Sequence, residues 1–246
     1  MREGSGWVKT LRRTTVLAGA LVASALLVGL LILGALCSVS EFTSEGPDGR
    51  PAQTRISFID GGLFLGGTIT AAGLPVFAAK LAVAAVTADG PVVVTLNSAG
   101  GNLEAALRMA AAIRLAGRIA EIGTLVPEDA SCQSACTVVF AAGQDRMAGP
   151  SSVFMFHGIR WTGQKADADL ETAARLEFDL ERRYLDALTA ADSALVEALK
   201  LRGVFDTVTP TFLTAQELRA LGDRFISWRA PFPRRSAPPR PHADRR

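Results

Sequence analysis

The chain has 246 residues, of which 49% are hydrophobic and 20% charged, and a formal net charge of +2; that suffices for one sizeable core or two small ones. The basic residues gather at the two ends and form no stripe between them, which argues against a nucleic-acid partner. Three cysteines are too few to staple a miniature fold, and with only two histidines, His157 and His242, a histidine metal centre is not expected; neither a metal nor a cofactor is implied.

Residues 1–13 carry Arg2, Lys9, Arg12 and Arg13, and residues 14–39 carry no charge. As a helix, Val16 to Cys37 would extend about 33 Å at about 1.5 Å per residue, enough to cross a bilayer core of about 30 Å. The reading is a cytoplasmic basic segment followed by an uncleaved single-pass signal anchor. In a bacterium that sends the rest of the chain across the inner membrane, to the periplasm or exterior. A cleaved signal fits less well, because the apolar run is long and Ala35-Leu36-Cys37 makes a poor exit site. Lipidation of Cys37 fits worse still, because Leu36 precedes it.

Residues 40–54 shift to Glu, Ser, Gly, Asp and Pro and read as a linker. The globular part, 55–228, opens with short apolar runs, Ile56 to Ile59 and Gly62 to Ile69, that predict a hairpin. Apolar spacing predicts a helix over Leu74 to Thr87, stopped by Asp89-Gly90-Pro91. Val92 to Leu96 is an unbroken, β-branched run that suits a strand buried on both faces of a parallel sheet. Asn102 is a good N-cap for a helix through Ala116, and Gly117 closes it.

Next come a strand over Ile119 to Val126, a helix over Ser134 to Ala142 and a strand over Ser152 to Phe156. This β-α-β-α-β order implies an α/β fold with a mostly parallel sheet. Helices follow over Ala166 to Thr189 and Ser193 to Leu201, and a capping box at Thr214-Ala215-Gln216-Glu217 starts a last one. Phe225-Ile226-Ser227-Trp228 reads as an edge strand. Residues 229–246, rich in Pro and Arg, predict a disordered tail with weak attraction to anionic lipid headgroups.

Three places can carry chemistry. Gly100-Gly101 lies between a buried strand and a helix N-terminus, where unpartnered amides suit a phosphate or an oxyanion, or form only a tight turn. Ser134 opens a helix at a small-residue turn and is either a cap or a nucleophile beside the amide of Ala135. His157 ends a strand. The carboxyl ends of parallel strands converge on one rim, which brings all three places together. Cys132 and Cys136 flank the serine; they are either two buried small side chains or a bridge that braces the turn from behind, which an exported compartment permits.

Five stretches in order, Leu65-Gly66-Gly67, Asn97-Ser98-Ala99-Gly100-Gly101, the serine turn followed by Phe140-Ala141-Ala142-Gly143, Phe154-Met155-Phe156-His157, and Phe212-Leu213-Thr214-Ala215, resemble the proteolytic subunit of the Clp protease. The resemblance covers about Ile56 to Phe225. It implies the Clp/crotonase spiral of β-α units, Ser134 as nucleophile, His157 as general base, and an oxyanion hole from the amides of Gly101 and Ala135. This sequence also departs from that pattern. Ala99 stands where the family has proline, Ala135 where it has methionine, and Pro210 where it has the third catalytic aspartate.

Asp206, four residues before Pro210, is the nearest carboxylate that could serve His157; otherwise the site is a dyad whose tautomer is set by a backbone carbonyl or water. The leading expectation is an exported serine endopeptidase acting on peptide or protein, held to the membrane by its N-terminal helix, with a second copy of the chain as a further partner. A catalytically inactive assembly module and an acyl-thioester enzyme using only the oxyanion hole stay open beside it. A serine–lysine mechanism would need Lys80, Lys165 or Lys200.

Overall fold

The computed structural model describes residues 40–45, 51–159 and 170–227. The predicted basic segment, signal anchor and tail, together with Cys37 and Lys165, lie outside the described residues. Among the described residues no helix is long and apolar enough to cross a membrane.

Among the described residues nine strands form one mixed sheet. In chain order they are β1 (Ser40–Glu45), β2 (Pro51–Ile59), β3 (Gly62–Ile69), β4 (Val92–Gly101), β5 (Ile122–Val126), β6 (Ser131–Gln133), β7 (Arg146–Ala148), β8 (Val153–Phe156) and β9 (Thr211–Thr214). The helices are α1 (Gly73–Thr87), α2 (Leu103–Ala116), α3 (Cys136–Ala141), α4 (Leu170–Ala191), α5 (Ser193–Leu201) and α6 (Ala215–Leu221). Five of the eight strand pairings are parallel, as the alternating order of elements predicts.

β4 is the strand on which the sheet forks. It runs parallel to β3 along its length, with Leu65 opposite Leu96. On its other side Val92 to Thr95 pair with β5, whereas Ser98 pairs with Cys132 of β6. One branch continues from β5 to β7, the other from β6 through β8 to β9. Val92, Val94 and Leu96 are wholly buried, which accounts for the uninterrupted apolar run. Asn102 caps α2 by accepting the Ala105 amide at 2.8 Å, and Thr214 and Glu217 form the reciprocal capping box of α6.

The structure corrects several sequence expectations. Ten of the fifteen residues of the expected linker, 40–54, are sheet: β1 and the start of β2 pair antiparallel, which requires only backbone groups and no apolar pattern. The strand expected from Ile119 begins at Ile122, because Arg118 and Ile119 still bond back to Leu115 and Ala116 in a turn. Phe225 and Ile226 do not form an edge strand; that edge belongs to β9, antiparallel to β8. Phe225 instead packs its ring among Phe140, Phe154 and Phe156, with centroids 5.3–6.1 Å away. The Arg146 guanidinium donates to the carbonyls of Phe225 (2.9 Å), Arg224 (2.8 Å) and Gly143 (2.8 Å), holding this segment where a ladder would otherwise be needed.

Asp192, the cap of α5, is 2% exposed and accepts the amides of Leu195 (3.1 Å), Arg224 (2.9 Å) and Phe225 (2.9 Å). Its carboxylate therefore ties the helical layer to the returning C-terminal segment. Asp192→Ala leaves these amides without their acceptor and is expected to lower unfolding stability by about 2–4 kcal/mol, read from the midpoint of a urea transition.

Candidate active site

β4, β6 and β8 are parallel, so their carboxyl ends, at Gly101, Gln133 and Phe156, fall on one edge of the sheet. Ser134 follows β6 directly. It is one of two non-glycine residues with positive φ among those described, at 50°, and α3 begins only at Cys136. The sequence predicts the helix two residues too early because β6 is only three residues long, too short to show a period.

The left-handed turn is fixed at both ends. The Ser134 amide donates to Met155 O of β8 at 2.8 Å, and its carbonyl accepts from the Thr137 amide at 2.9 Å. A disulfide joins Cys132 and Cys136 across it, with Cα atoms 5.2 Å apart and both residues wholly buried. Ser134 itself remains half-buried and reachable.

Ser134 Oγ lies 2.8 Å from His157 Nε2, and His157 Nδ1 lies 2.6 Å from the carbonyl oxygen of Gly158. A carbonyl can only accept, so the neutral imidazole carries its proton on Nδ1 and leaves Nε2 bare. Ser134 then donates to Nε2, the arrangement a general base requires. The turn after His157 is itself clamped, because the Gly158 amide donates to Thr207 O at 2.7 Å. A side chain at Gly158 would overlap Phe205 O and come within 2.8 Å of Thr207 O, so only glycine lets that strand of backbone approach.

Gly100 faces the serine. A Cβ there would lie 2.5 Å from Gln133 O, 3.0 Å from Ser134 Cβ and 3.1 Å from Ala135 N, so the space beside the Ala135 amide exists because residue 100 has no side chain. Around the glycine pair, the Gly100 amide donates to Ser98 Oγ at 3.1 Å and the Asn102 amide to Ile69 O at 2.8 Å. Both amides flanking Gly101 are thus engaged within the loop. Ala135, at the N-cap of α3, has an amide that precedes the intrahelical ladder.

Asp206 is not brought to the imidazole. It is exposed in the turn after α5, with Oδ2 against Gly203, and no hydrogen bond or ion pair joins it to His157 among the described residues. Its charge acts on Glu181, whose carboxyl is pushed up by burial first, then by Glu177 and then by Asp206. Pro210 is exposed as well. The lysines of the alternative mechanism are elsewhere: Lys80 Nζ donates to Ile56 O at 3.1 Å, and Lys200 pairs with Glu197 at 3.1 Å. The described residues contain no group of three or more His, Cys, Asp or Glu suited to a metal ion.

The sequence raises a backbone carbonyl as one candidate orienter but does not point to Gly158, nor to the facing role of Gly100, because backbone groups leave no signature in residue type. Thr137 and Tyr184 were also missed. The available signal was that Tyr184 is the sole tyrosine of the chain and lies within a helical pattern.

A mostly parallel α/β sheet with a serine and a histidine joined at its carboxyl edge defines a serine-hydrolase type of architecture. A profile of the Clp protease family matches residues 54–222, and the chain belongs to that family. Among solved structures it is similar to a point mutant of ClpP1 from Listeria monocytogenes, with a TM-score of 0.51 and 18% identity, over 64% of this chain and 84% of that one. At that identity the likeness concerns the fold alone. No curated protein matches the chain.

Because the imidazole is oriented by a carbonyl, Asp206→Asn is expected to leave the rate of modification of Ser134 by a fluorophosphonate within about twofold of wild type. A working triad carboxylate would instead cost about 10⁴.

Proposed function

We propose that this chain is a serine peptidase that works with a serine–histidine dyad, anchored by residues 14–39 to the inner membrane with its folded part on the far side. The observation that carries the catalytic reading is the 2.8 Å contact between Ser134 Oγ and His157 Nε2, with Nδ1 committed to a carbonyl. Ser134 Oγ attacks a substrate carbonyl carbon while Nε2 takes its proton. The carbonyl oxygen becomes an oxyanion between the amides of Gly101 and Ala135. Nε2 then returns the proton to the leaving nitrogen, an acyl-enzyme forms on Ser134, and water deacylates it with His157 again as base.

A backbone carbonyl carries no full charge to stabilise the imidazolium formed in each step. Turnover is accordingly slow beside that of a triad enzyme. The export reading is supported by the uncharged run at 14–39 and by the Cys132–Cys136 disulfide, since disulfides persist outside the reducing cytosol. A non-catalytic assembly role at the membrane is the reading favoured by the absence, among the described residues, of a carboxylate bonded to His157, and the same experiment decides between the two.

Treatment of the full-length protein with a fluorophosphonate probe is expected to label wild type and to lose at least about 100-fold in labelling rate in both Ser134→Ala and His157→Ala. Labelling that is absent in wild type, or equal in all three proteins, overturns the enzyme reading in favour of the assembly role.

A further inference from the structure

The peptide group between Ser134 and Ala135 has its carbonyl on one side and the amide of Ala135 on the other. A peptide group is planar and trans, so fixing the direction of the carbonyl fixes the opposite direction of the N–H. Here the carbonyl is held twice. The Thr137 amide donates to it at 2.9 Å and the Thr137 hydroxyl at 2.7 Å.

A threonine hydroxyl has one proton, and Thr137 spends it on Ser134 O. The 3.2 Å contact between Thr137 Oγ1 and Tyr184 Oη is therefore donated by the tyrosine. Thr137 is wholly buried and Tyr184 is 1% exposed. Burial raises the tyrosine's pKa above its ordinary value, which keeps it the neutral donor this chain needs.

Tyr184 comes from α4, a helix that also reaches the other half of the site. Its neighbour Arg183 donates to Glu104 at 2.6 Å, and Glu104 lies in the first turn of α2, the helix that starts just beyond Gly100-Gly101. Valine and phenylalanine would fill the same volumes with less desolvation cost. A buried hydroxyl pair that ends on a single carbonyl selects an orientation more than it adds stability.

Resting on the reading of Ser134 as nucleophile, we propose that Thr137 and Tyr184 are positioning residues: their hydroxyl relay pins the Ser134 carbonyl and so aims the Ala135 amide at the oxyanion beside Gly100. Neither touches the substrate. The oxyanion gains its charge only in the transition state, so loss of aim reduces kcat and spares KM.

The test uses the full-length protein with a p-nitrophenyl ester for kcat and KM, a fluorophosphonate for the modification rate of Ser134, and thermal unfolding as the check on folding. Thr137→Val is expected to lower kcat and the modification rate by about 10- to 100-fold with KM within about twofold, and Tyr184→Phe by a smaller factor. Thr137→Ser, which keeps the hydroxyl, is expected to restore kcat to within about threefold of wild type.

A folded Thr137→Val that matches wild type in kcat overturns the proposal, as does a Thr137→Ser no better than the valine. If Thr137→Val does not fold, a folded Tyr184→Phe with unchanged kcat overturns it in the same way. Wild type that neither hydrolyses the ester nor takes up the probe overturns the serine-nucleophile reading itself and this proposal with it; wild type that reacts alongside an equally reactive Thr137→Val overturns the positioning role alone.

Discussion

The molecule depends on a serine held in a conformation that serine disfavours. A residue with a Cβ in the left-handed region costs on the order of 1 kcal/mol or more, and Ser134 adopts φ 50° between a strand and a helix. Three restraints offset that cost. The amide is taken by β8, the carbonyl by Thr137, and the flanking residues 132 and 136 are joined covalently. Each restraint acts on backbone or on a neighbour, which leaves Oγ as the one polar group of the residue free to turn towards His157. A relaxed serine in a normal helical first turn would use the same oxygen to cap its own helix. The strained turn thus separates the structural role of serine from its chemical one.

That turn also explains the forked sheet. Had β4 paired with a single neighbour along its whole length, the carboxyl edge would contain no break at which a loop could fold inward. Because β5 takes the first half of β4 and β6 the second, the chain between them steps around Pro127 to Ala130 and presents Ser134 opposite Gly100. The close approach of those two loops needs a residue without a side chain at position 100. The aromatic packing of Phe140, Phe154 and Phe225 lies beneath this arrangement, joining the helix that follows the serine to the strand that precedes the histidine.

The elements that sequence revealed are those whose determinants are side chains in a repeating pattern. β4 is legible because it is buried on both faces, α2 because Asn102 caps it and Gly117 ends it, and α6 because a capping box is two side chains at a fixed spacing. β6, β7 and β9 are three or four residues long and carry no period, and the sequence of β1, Ser40–Glu45, has no alternating apolar pattern. The site divides in the same way. Ser134 stands out as the start of a helix at a small-residue turn and His157 as the end of a strand, and the parallel order of elements places both at a common edge. Asp206 was assigned on chain distance from a missing aspartate, and chain distance does not specify direction: the turn after α5 puts that carboxylate towards Gly203 and Glu181.

What replaces the aspartate has its own logic. Gly158 O is one residue from the imidazole it orients, so the hydrogen bond is built into a single turn and needs no distant loop to supply a charged partner. The distant loop contributes differently. Thr207 accepts the Gly158 amide, and the backbone from Phe205 to Thr207 lies so close that only glycine fits between. Residues near the family's aspartate position still support the histidine, through main-chain atoms that hold the turn after it. The tautomer is as well defined as a carboxylate would make it; what is lost is charge opposite the imidazolium. An orienting group of this kind cannot itself be protonated in the ordinary pH range, whereas the carboxylate of a triad can.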